Sequence, residues 1–214
     1  MKYPDFSYEM PLWEKGYTII GIDEVGRGAF AGPVGVGGVI FDPQMSGSQK
    51  KELLGLGIND SKKLTAKKRL ELSKMIKDIA ISWNVSLISV EIINDIGIGK
   101  ATFLGMRRVF EIIQSKLPSS NSYLLIDGFE IPGFEIPQKG IIGGDGLSIS
   151  IAAASSVAKV ERDTLMERLG ITSPQYGFEK HKGYGTRDHR ESIQKFGLTP
   201  HHRVDFCQNT LKAV

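Results

Sequence analysis

Apolar residues fall along this chain in two rhythms: short runs closed by glycine, and longer stretches spaced three or four residues apart. Thr18-Ile19-Ile20-Gly21-Ile22, Tyr123-Leu124-Leu125-Ile126 and Gly140-Ile141-Ile142 belong to the first kind and predict buried strands. Val34 to Phe41 alternates Val, Gly and Ile, and Pro33 with the many glycines argues against a helix, so a strand is predicted there too. Ile81 to Val90 alternates as a further strand. Helical spacing marks Thr65, a candidate N-cap, to about Ile79, through Leu70, Leu72, Met75, Ile76 and Ile79 with a lysine-rich outer face. It also marks Gly99 to Leu117, through Phe103, Met106, Val109, Phe110 and Ile113, closed by Pro118. Ser148 to about Leu169 is alanine-rich, with Ile149, Ala153, Val157 and Val160 on one stripe and small residues suited to close packing on a sheet. Asp42 to Gly57 predicts a turn and a short helix. From Ser173 the chain turns polar, basic and glycine-rich, and helical character returns at Asp188 to Phe196 and Val204 to Ala213. The pattern predicts one α/β domain over 1–214, with a core of about 17–170 and a C-terminal helical, basic subregion of about 171–214.

Four carboxylates stand at the ends of the predicted strands: Asp23 with Glu24, Asp127 before Gly128, and Asp145 after Gly143-Gly144. In open α/β sheets ligands bind beyond the carboxyl ends of strands, so three strand ends would deliver acid to one place. Crowded carboxylates repel one another unless a cation sits among them, and the oxygen-seeking candidates are Mg²⁺ and Mn²⁺. Taken singly, each acid is equally well explained as a turn former or, for Asp145, as a charge near a helix N-terminus. Successive residues of a regular strand point to opposite faces, so the strand is expected to bend or end by residue 23 if Asp23 and Glu24 act together.

At 214 residues the chain can bury one substantial core. Its net charge of +3 is small, but Lys and Arg are clumped apart from the acids, which suits a polyanion held by a basic rim. The single Cys207 excludes an internal disulfide and reads as a small buried hydrophobe, consistent with a reducing cytoplasm. Met1 to Trp13 lacks the regions of a signal peptide and no apolar stretch has the length of a membrane span, so a soluble, cytoplasmic protein is expected.

Gly26-Arg27-Gly28-Ala29-Phe30-Ala31 fits the loose dinucleotide pattern GxGxxA but lacks its context, because Pro33 and the Val/Gly alternation continue as strand. Taken with its neighbours, Gly21-Ile22-Asp23-Glu24-Val25-Gly26-Arg27-Gly28 followed by Ala31-Gly32-Pro33 resembles the opening block of the ribonuclease HII family. Asn59-Asp60-Ser61-Lys62-Lys63-Leu64, Ile126-Asp127-Gly128, Asp145 with Ser148 to Val160, His181-Lys182-Gly183-Tyr184-Gly185-Thr186 and His202-Arg203 are similar to further blocks of that family, in order, over about residues 18 to 206.

The resemblance implies a ribonuclease H-like fold, a mixed central β-sheet flanked by helices. It implies metal-dependent endonucleolytic hydrolysis of RNA in RNA/DNA hybrids and at single ribonucleotides embedded in duplex DNA. Cleavage would fall 5′ to the ribonucleotide and leave 3′-hydroxyl and 5′-phosphate ends. Asp23, Glu24, Asp127 and Asp145 would be the catalytic, metal-binding acids for two Mn²⁺ or Mg²⁺ ions. Gly26, Arg27 and Gly28 would sense the ribose 2′-hydroxyl, and Tyr184 would pack on the sugar at the DNA side of the junction. Lys62, Lys63 and Lys182 are further candidate substrate contacts, with a solvated helix face the alternative for Lys62 and Lys63. A monomer is the family-like expectation. The competing function is a catalytically silent hybrid-binding protein using the same groove.

The chain departs from the family pattern where lysines usually flank the third acid, since Gly143 and Leu147 stand two residues before and after Asp145. Loss of both charges is expected to shift metal dependence. Asp205 replaces a small hydroxyl residue. Without a separate N-terminal platform domain before the first strand, ribonuclease HIII is disfavoured. The tail Gln208-Asn209-Thr210-Leu211 resembles the start of a sliding-clamp peptide, but Lys212-Ala213-Val214 supplies no aromatic pair, so it reads as a surface helix end.

Overall fold

The structure is a computed structural model and describes residues 3–58, 65–117 and 121–211. Along the chain run α1 (Met10–Trp13), β1 (Thr18–Val25), β2 (Val34–Ile40), α2 (Gly47–Gly55), α3 (Ala66–Ile79), β3 (Ser82–Ile88), α4 (Val90–Ile96), α5 (Ile98–Lys116), β4 (Ser122–Asp127) and β5 (Gln138–Ile141). They are followed by α6 (Ile149–Thr172), α7 (Phe178–His181), α8 (Arg187–Phe196) and α9 (Val204–Leu211). The strands form one mixed sheet in the order β3-β2-β1-β4-β5, antiparallel from β3 to β1 and parallel from β1 to β5. Every strand and long helix expected from the hydrophobic rhythm is present.

Two boundaries differ from expectation. Val90 does not extend the third strand but opens α4, because the Ser89 hydroxyl accepts from the Ile92 N–H and caps a turn whose Val90 and Ile93 are buried. β1 neither bends away nor ends at residue 23, and stays paired to β2 through Val25, opposite Gly35. Its pairing with β4 stops at Ile22 opposite Ile126, so β1 projects one turn of pleat beyond its parallel neighbour.

α6 lies across one face of the sheet and is buried almost all round, a broader burial than the expected single stripe. The reason is that α3 and α7 cover its outer side while β1 and β2 cover its inner side. Contact with the sheet is close because β1 offers no side chain at Gly21: a Cβ there would stand 2.2 Å from the Ser150 carbonyl carbon. The opposite face packs Ile20, Ile22 and Val36 against Met106, Val109 and Ile113 of α5.

The C-terminal subregion has its own small core, in which Tyr176, Phe178, Ile193 and Cys207 enclose Ala31 and Met166. Cys207 is fully buried there, as a small hydrophobe should be. This cluster sets the 171–211 segment directly behind the Gly26–Pro33 turn, and a short antiparallel bridge joins Ala31 to His202.

Candidate active site

Asp23 and Glu24 leave opposite faces of β1, Asp23 toward α6 and Glu24 toward α5. Because the pairing of β1 with β4 stops at Ile22, one residue before Asp23, both acids open onto the same gap, and Asp127 from the end of β4 joins them. Asp145 arrives on the 3₁₀ turn Gly144–Gly146 between β5 and α6. All four line one cavity of about 430 Å³, together with Gly26, Arg27 and Gly28. Tyr184 stands on the same wall, 159 residues beyond the turn it faces in the sequence count from Val25. The Gly144 N–H donates to Asp127 Oδ1 at 2.7 Å, which locks the third strand end to the second acid.

The acids share an electrostatic strain. Burial pushes the Asp23 carboxyl up to about 8, and the charges of Asp127 and Glu24 add to the rise against hydrogen bonds from Ser155 and the Glu24 N–H. Burial also raises Glu24, opposed by the Arg27 guanidinium 3.3 Å away. Every donor in the cluster is a carboxylate oxygen, the ligand class of Mg²⁺ and Mn²⁺, and a cation would relieve the repulsion. The residues therefore fit a divalent ion. Among the described residues no three such side chains are gathered into a ready-made metal cage, so water and substrate oxygens would have to complete the coordination.

Gly26 has a φ of +78° and a Cβ there would stand 2.0 Å from Arg162 Nε, so both backbone and space demand glycine. At Gly28 a Cβ would meet nothing within 4 Å. The protein itself does not require glycine at 28, and the bare backbone faces the open cavity.

Several residues of the site were not legible in the sequence. Arg162 and Arg203 are fully buried, and their guanidiniums are spent on main-chain carbonyls around the glycine turn. Arg162 donates to Pro33, Ala31 and Lys182 carbonyls, and Arg203 to those of Gly32 and Arg27. Arg162 also lies 5.6 Å from the Tyr184 ring centre. A signal for Arg162 exists in hindsight: Ser150, Ala154, Ala158, Arg162 and Met166 form a four-residue ladder of buried positions, and one of them is charged. Arg203 sits in a loop and has no such signal. Arg69 and Lys159 join the cavity wall and share the carboxylate of Asp163, at 3.6 and 2.6 Å.

The expected lysines fare differently. Lys62 and Lys63 lie outside the described residues. Lys182 is not on the acid cavity: its ammonium donates to Glu167 at 2.7 Å and to the Glu179 carbonyl, beside a neighbouring cavity with Lys67 and Arg69. The reason is its backbone, which takes φ +53° and turns the side chain away from Tyr184. Leu147 packs with Ile141 and Ile151 rather than toward the acids.

An N-terminal strap also reaches this corner. Glu9 is fully buried, with Oε1 accepting from the Ser148 hydroxyl at 2.5 Å and from the Ser150 N–H at 3.0 Å. Asp5 bridges Ser148 alongside it, through Asp5 N–H to Leu147 O and Ile149 N–H to Asp5 O. The strap thus grips the segment that follows Asp145.

Among solved structures, the chain resembles ribonuclease H2 from Pyrococcus horikoshii OT3, with a TM-score of 0.70, 21% identity, and coverage of 92% of this chain and 98% of that one. It also resembles Bst ribonuclease HIII in complex with Mn²⁺, with a TM-score of 0.73, 18% identity, and coverage of 92% and 70%. These two likenesses speak for the fold. Ribonuclease HII of Wolbachia pipientis subsp. Culex pipiens (strain wPip) is 46% identical over 207 residues, spanning 97% of this chain and 98% of that protein. Ribonuclease HII of Clostridioides difficile (strain 630) is 44% identical over 205 residues, 95% of this chain and 76% of the relative. The family model described as Ribonuclease HII matches residues 20–209, a span that holds the four acids, the glycine turn and Tyr184. The chain belongs to the ribonuclease HII family, endoribonucleases that act on the RNA of RNA/DNA hybrids.

Proposed function

We propose that this enzyme, besides cleaving the RNA strand of hybrids, nicks duplex DNA on the 5′ side of a single embedded ribonucleotide, leaving 3′-hydroxyl and 5′-phosphate ends. One observation carries the reading: four acids from three strand ends share a cavity with a bare-backbone glycine turn and an aromatic ring. Asp23, Glu24, Asp127 and Asp145 would hold two divalent ions, Mn²⁺ or Mg²⁺, with the substrate bound. When bound, such ions supply a water acidic enough to attack at neutral pH and neutralise charge on the leaving oxygen.

The remaining work falls to this chain's own groups. The open face of Gly28 admits a ribose to the backbone, where a 2′-hydroxyl can donate and accept and so separates RNA from DNA. Arg27, held by Glu24 at the cavity mouth, meets phosphate. Tyr184, at 37% exposure and lining the cavity, offers its ring to the next sugar. Arg69 and Lys159 lend positive potential on the α3–α6 side, while the family's lysines are absent at 143 and 147, on either side of the turn that carries Asp145. With those two charges missing, the balance between Mn²⁺ and Mg²⁺ differs from that of relatives that retain them. A chain similar to this one is the ribonuclease HII of Archaeoglobus fulgidus solved in complex with PCNA, at 25% identity and a TM-score of 0.70. Here Gln208 to Leu211 belongs to α9 with Thr210 buried, so that stretch does not offer an extended clamp-binding peptide.

The test is duplex DNA containing one ribonucleotide, incubated with Mg²⁺ or Mn²⁺ and then with EDTA. A metal-dependent nick 5′ to the ribonucleotide is expected. Binding without that nick would leave a silent hybrid-binding protein as the reading.

A further inference from the structure

Three imidazoles lie under the Tyr184 turn, none of them on the acid cavity. His189 and His202 are fully buried, and their Nε2 atoms face each other at 3.2 Å. His189 Nδ1 stands 3.0 Å from the Tyr184 carbonyl, and the Thr199 N–H points at His202 Nδ1 at 2.9 Å. His181 stacks on His189 with ring centres 4.4 Å apart and planes 15° apart.

The main chain at each end decides where every proton sits. A carbonyl can only accept, so His189 carries its proton on Nδ1 and presents a lone pair at Nε2. An amide N–H can only donate, so His202 Nδ1 is the acceptor and its proton is on Nε2. The two assignments, made independently, agree: His202 Nε2–H donates to His189 Nε2. His181 is settled in the same way, donating from Nε2 to the Tyr176 carbonyl and accepting the Gly183 N–H at Nδ1. The result is a one-way chain from Thr199 through His202 and His189 to Tyr184, in which both imidazoles are neutral. A proton added to His189 sets N–H against N–H across 3.2 Å, and one added to His202 sets Nδ1–H against the Thr199 N–H at 2.9 Å.

The chain connects the two halves of the proposed ribose reader. At one end it holds the Tyr184 carbonyl. At the other, His202 precedes Arg203, whose guanidinium holds the Arg27 carbonyl at 2.9 Å. Between them the Gly183 carbonyl accepts the N–H groups of Phe30 and Ala31. We infer that His189 and His202 are positioning residues that set where Tyr184 stands relative to Gly26–Gly28, and that they thereby govern junction preference more than hydrolysis. This rests on the role given to Tyr184 above.

The ionisable groups around the pair are His181 from α7, His201 and Arg203 from the loop before α9, Arg190 of α8 across the Phe30 ring, and Tyr176, whose ring centre lies 4.9 Å from that of His202. Burial opposes protonation of the pair first, the neighbouring histidines act in the same direction, and the Tyr176 hydroxyl donates to the Phe196 and Gly197 carbonyls.

Long-range ¹H–¹⁵N correlation of the wild-type imidazoles at pH 7.5 reads the tautomers without any mutation. Nδ1–H at His189 and Nε2–H at His202 are expected, and either ring in the opposite or the protonated form would overturn the inference. The second arm compares cleavage at a single ribonucleotide in duplex DNA with cleavage of a continuous hybrid. His189→Asn keeps a donor near the Nδ1 position and His189→Gln does not. The preference is expected to fall about tenfold in His189→Gln, with hybrid cleavage falling far less, and to be partly restored in His189→Asn. A merely structural role would lower both activities together and rank the variants by melting temperature. Tyr184→Ala runs alongside: unchanged preference there removes the Tyr184 role itself, whereas loss there with no change in His189→Gln sinks only the positioning role.

Discussion

At the residue scale, the two glycines of the turn separate folding from recognition. Gly26→Ala meets both a positive φ and the Arg162 guanidinium, so it is expected to destabilise the protein by about 1–2 kcal/mol or more in urea unfolding. Gly28→Ala meets no protein atom, so its melting temperature should match wild type while cleavage at an embedded ribonucleotide drops. Equal loss of stability in both variants would contradict the close approach of substrate at Gly28. Asp23 shows the converse trade. Burial, and after it the charges of Asp127 and Glu24, makes a carboxylate at 23 costly relative to the unfolded chain, so Asp23→Asn should melt higher than wild type in EDTA. The same variant should lose cleavage and should lose the rise in melting temperature that Mn²⁺ gives the wild type. The acids were legible because each follows a strand-like apolar run. Arg203, a buried cation in a loop, carried no pattern, since its partners are backbone carbonyls that any sequence supplies.

At the element scale, α6 organises the site. Its N-terminus follows Asp145, its middle places Ser155 beside Asp23, and its later turns carry Lys159 and Arg162. The Glu9 strap anchors the first turn of this helix through Ser148 and Ser150. Glu9→Ala deletes that anchor and leaves the Ser150 N–H unpaired in a buried place, with an expected cost of about 1–3 kcal/mol in denaturant unfolding. Because the strap holds the segment next to Asp145, the Mn²⁺ concentration for half-maximal stabilisation should also rise, as read by melting temperature. An unchanged metal requirement would confine Glu9 to stability. Asp205 finds an ordinary place at this scale, in the first turn of α9, where a negative charge is favoured and Oδ1 accepts from Gln208.

At the scale of the whole molecule, the C-terminal subregion is docked on the sheet through buried polar groups as well as through the Tyr176 and Phe178 cluster. Burial lowers both His189 and His202 to about 4. The unfolded chain takes up these protons near pH 6.5, while the folded protein resists them down to about pH 4. The contribution of these imidazoles is therefore complete above pH 6.5 and is lost progressively between 6.5 and 4, by up to a few kcal/mol for each at about 1.4 kcal/mol per pKa unit. The raised carboxyls of Asp23, Glu24 and Glu9 act with the opposite sign over the same range, so the imidazoles are read from the difference between wild type and His202→Gln in urea, which should shrink toward acid. A difference that does not change with pH would show that the imidazoles are not held neutral.

The sequence by itself determined the strands, the long helices, the four acids and the glycine turn, because periodicity and turn chemistry are local and repeat within a few residues. It also set the expectation that Lys182 would meet substrate, and the fold places that ammonium off the acid cavity, on Glu167 and the Glu179 carbonyl. Only the tertiary structure decided how Asp23 and Glu24 of one regular strand open onto one gap, since that depends on β4 pairing with β1 no further than Ile22. It alone brought residues 162, 189 and 203 around the turn at 26–33, and residue 9 to Ser148 and Ser150 beside Asp145. Such partners are chosen by the packing of α6 and the C-terminal segment on the sheet, and no spacing along the chain encodes a hydrogen bond across more than a hundred residues.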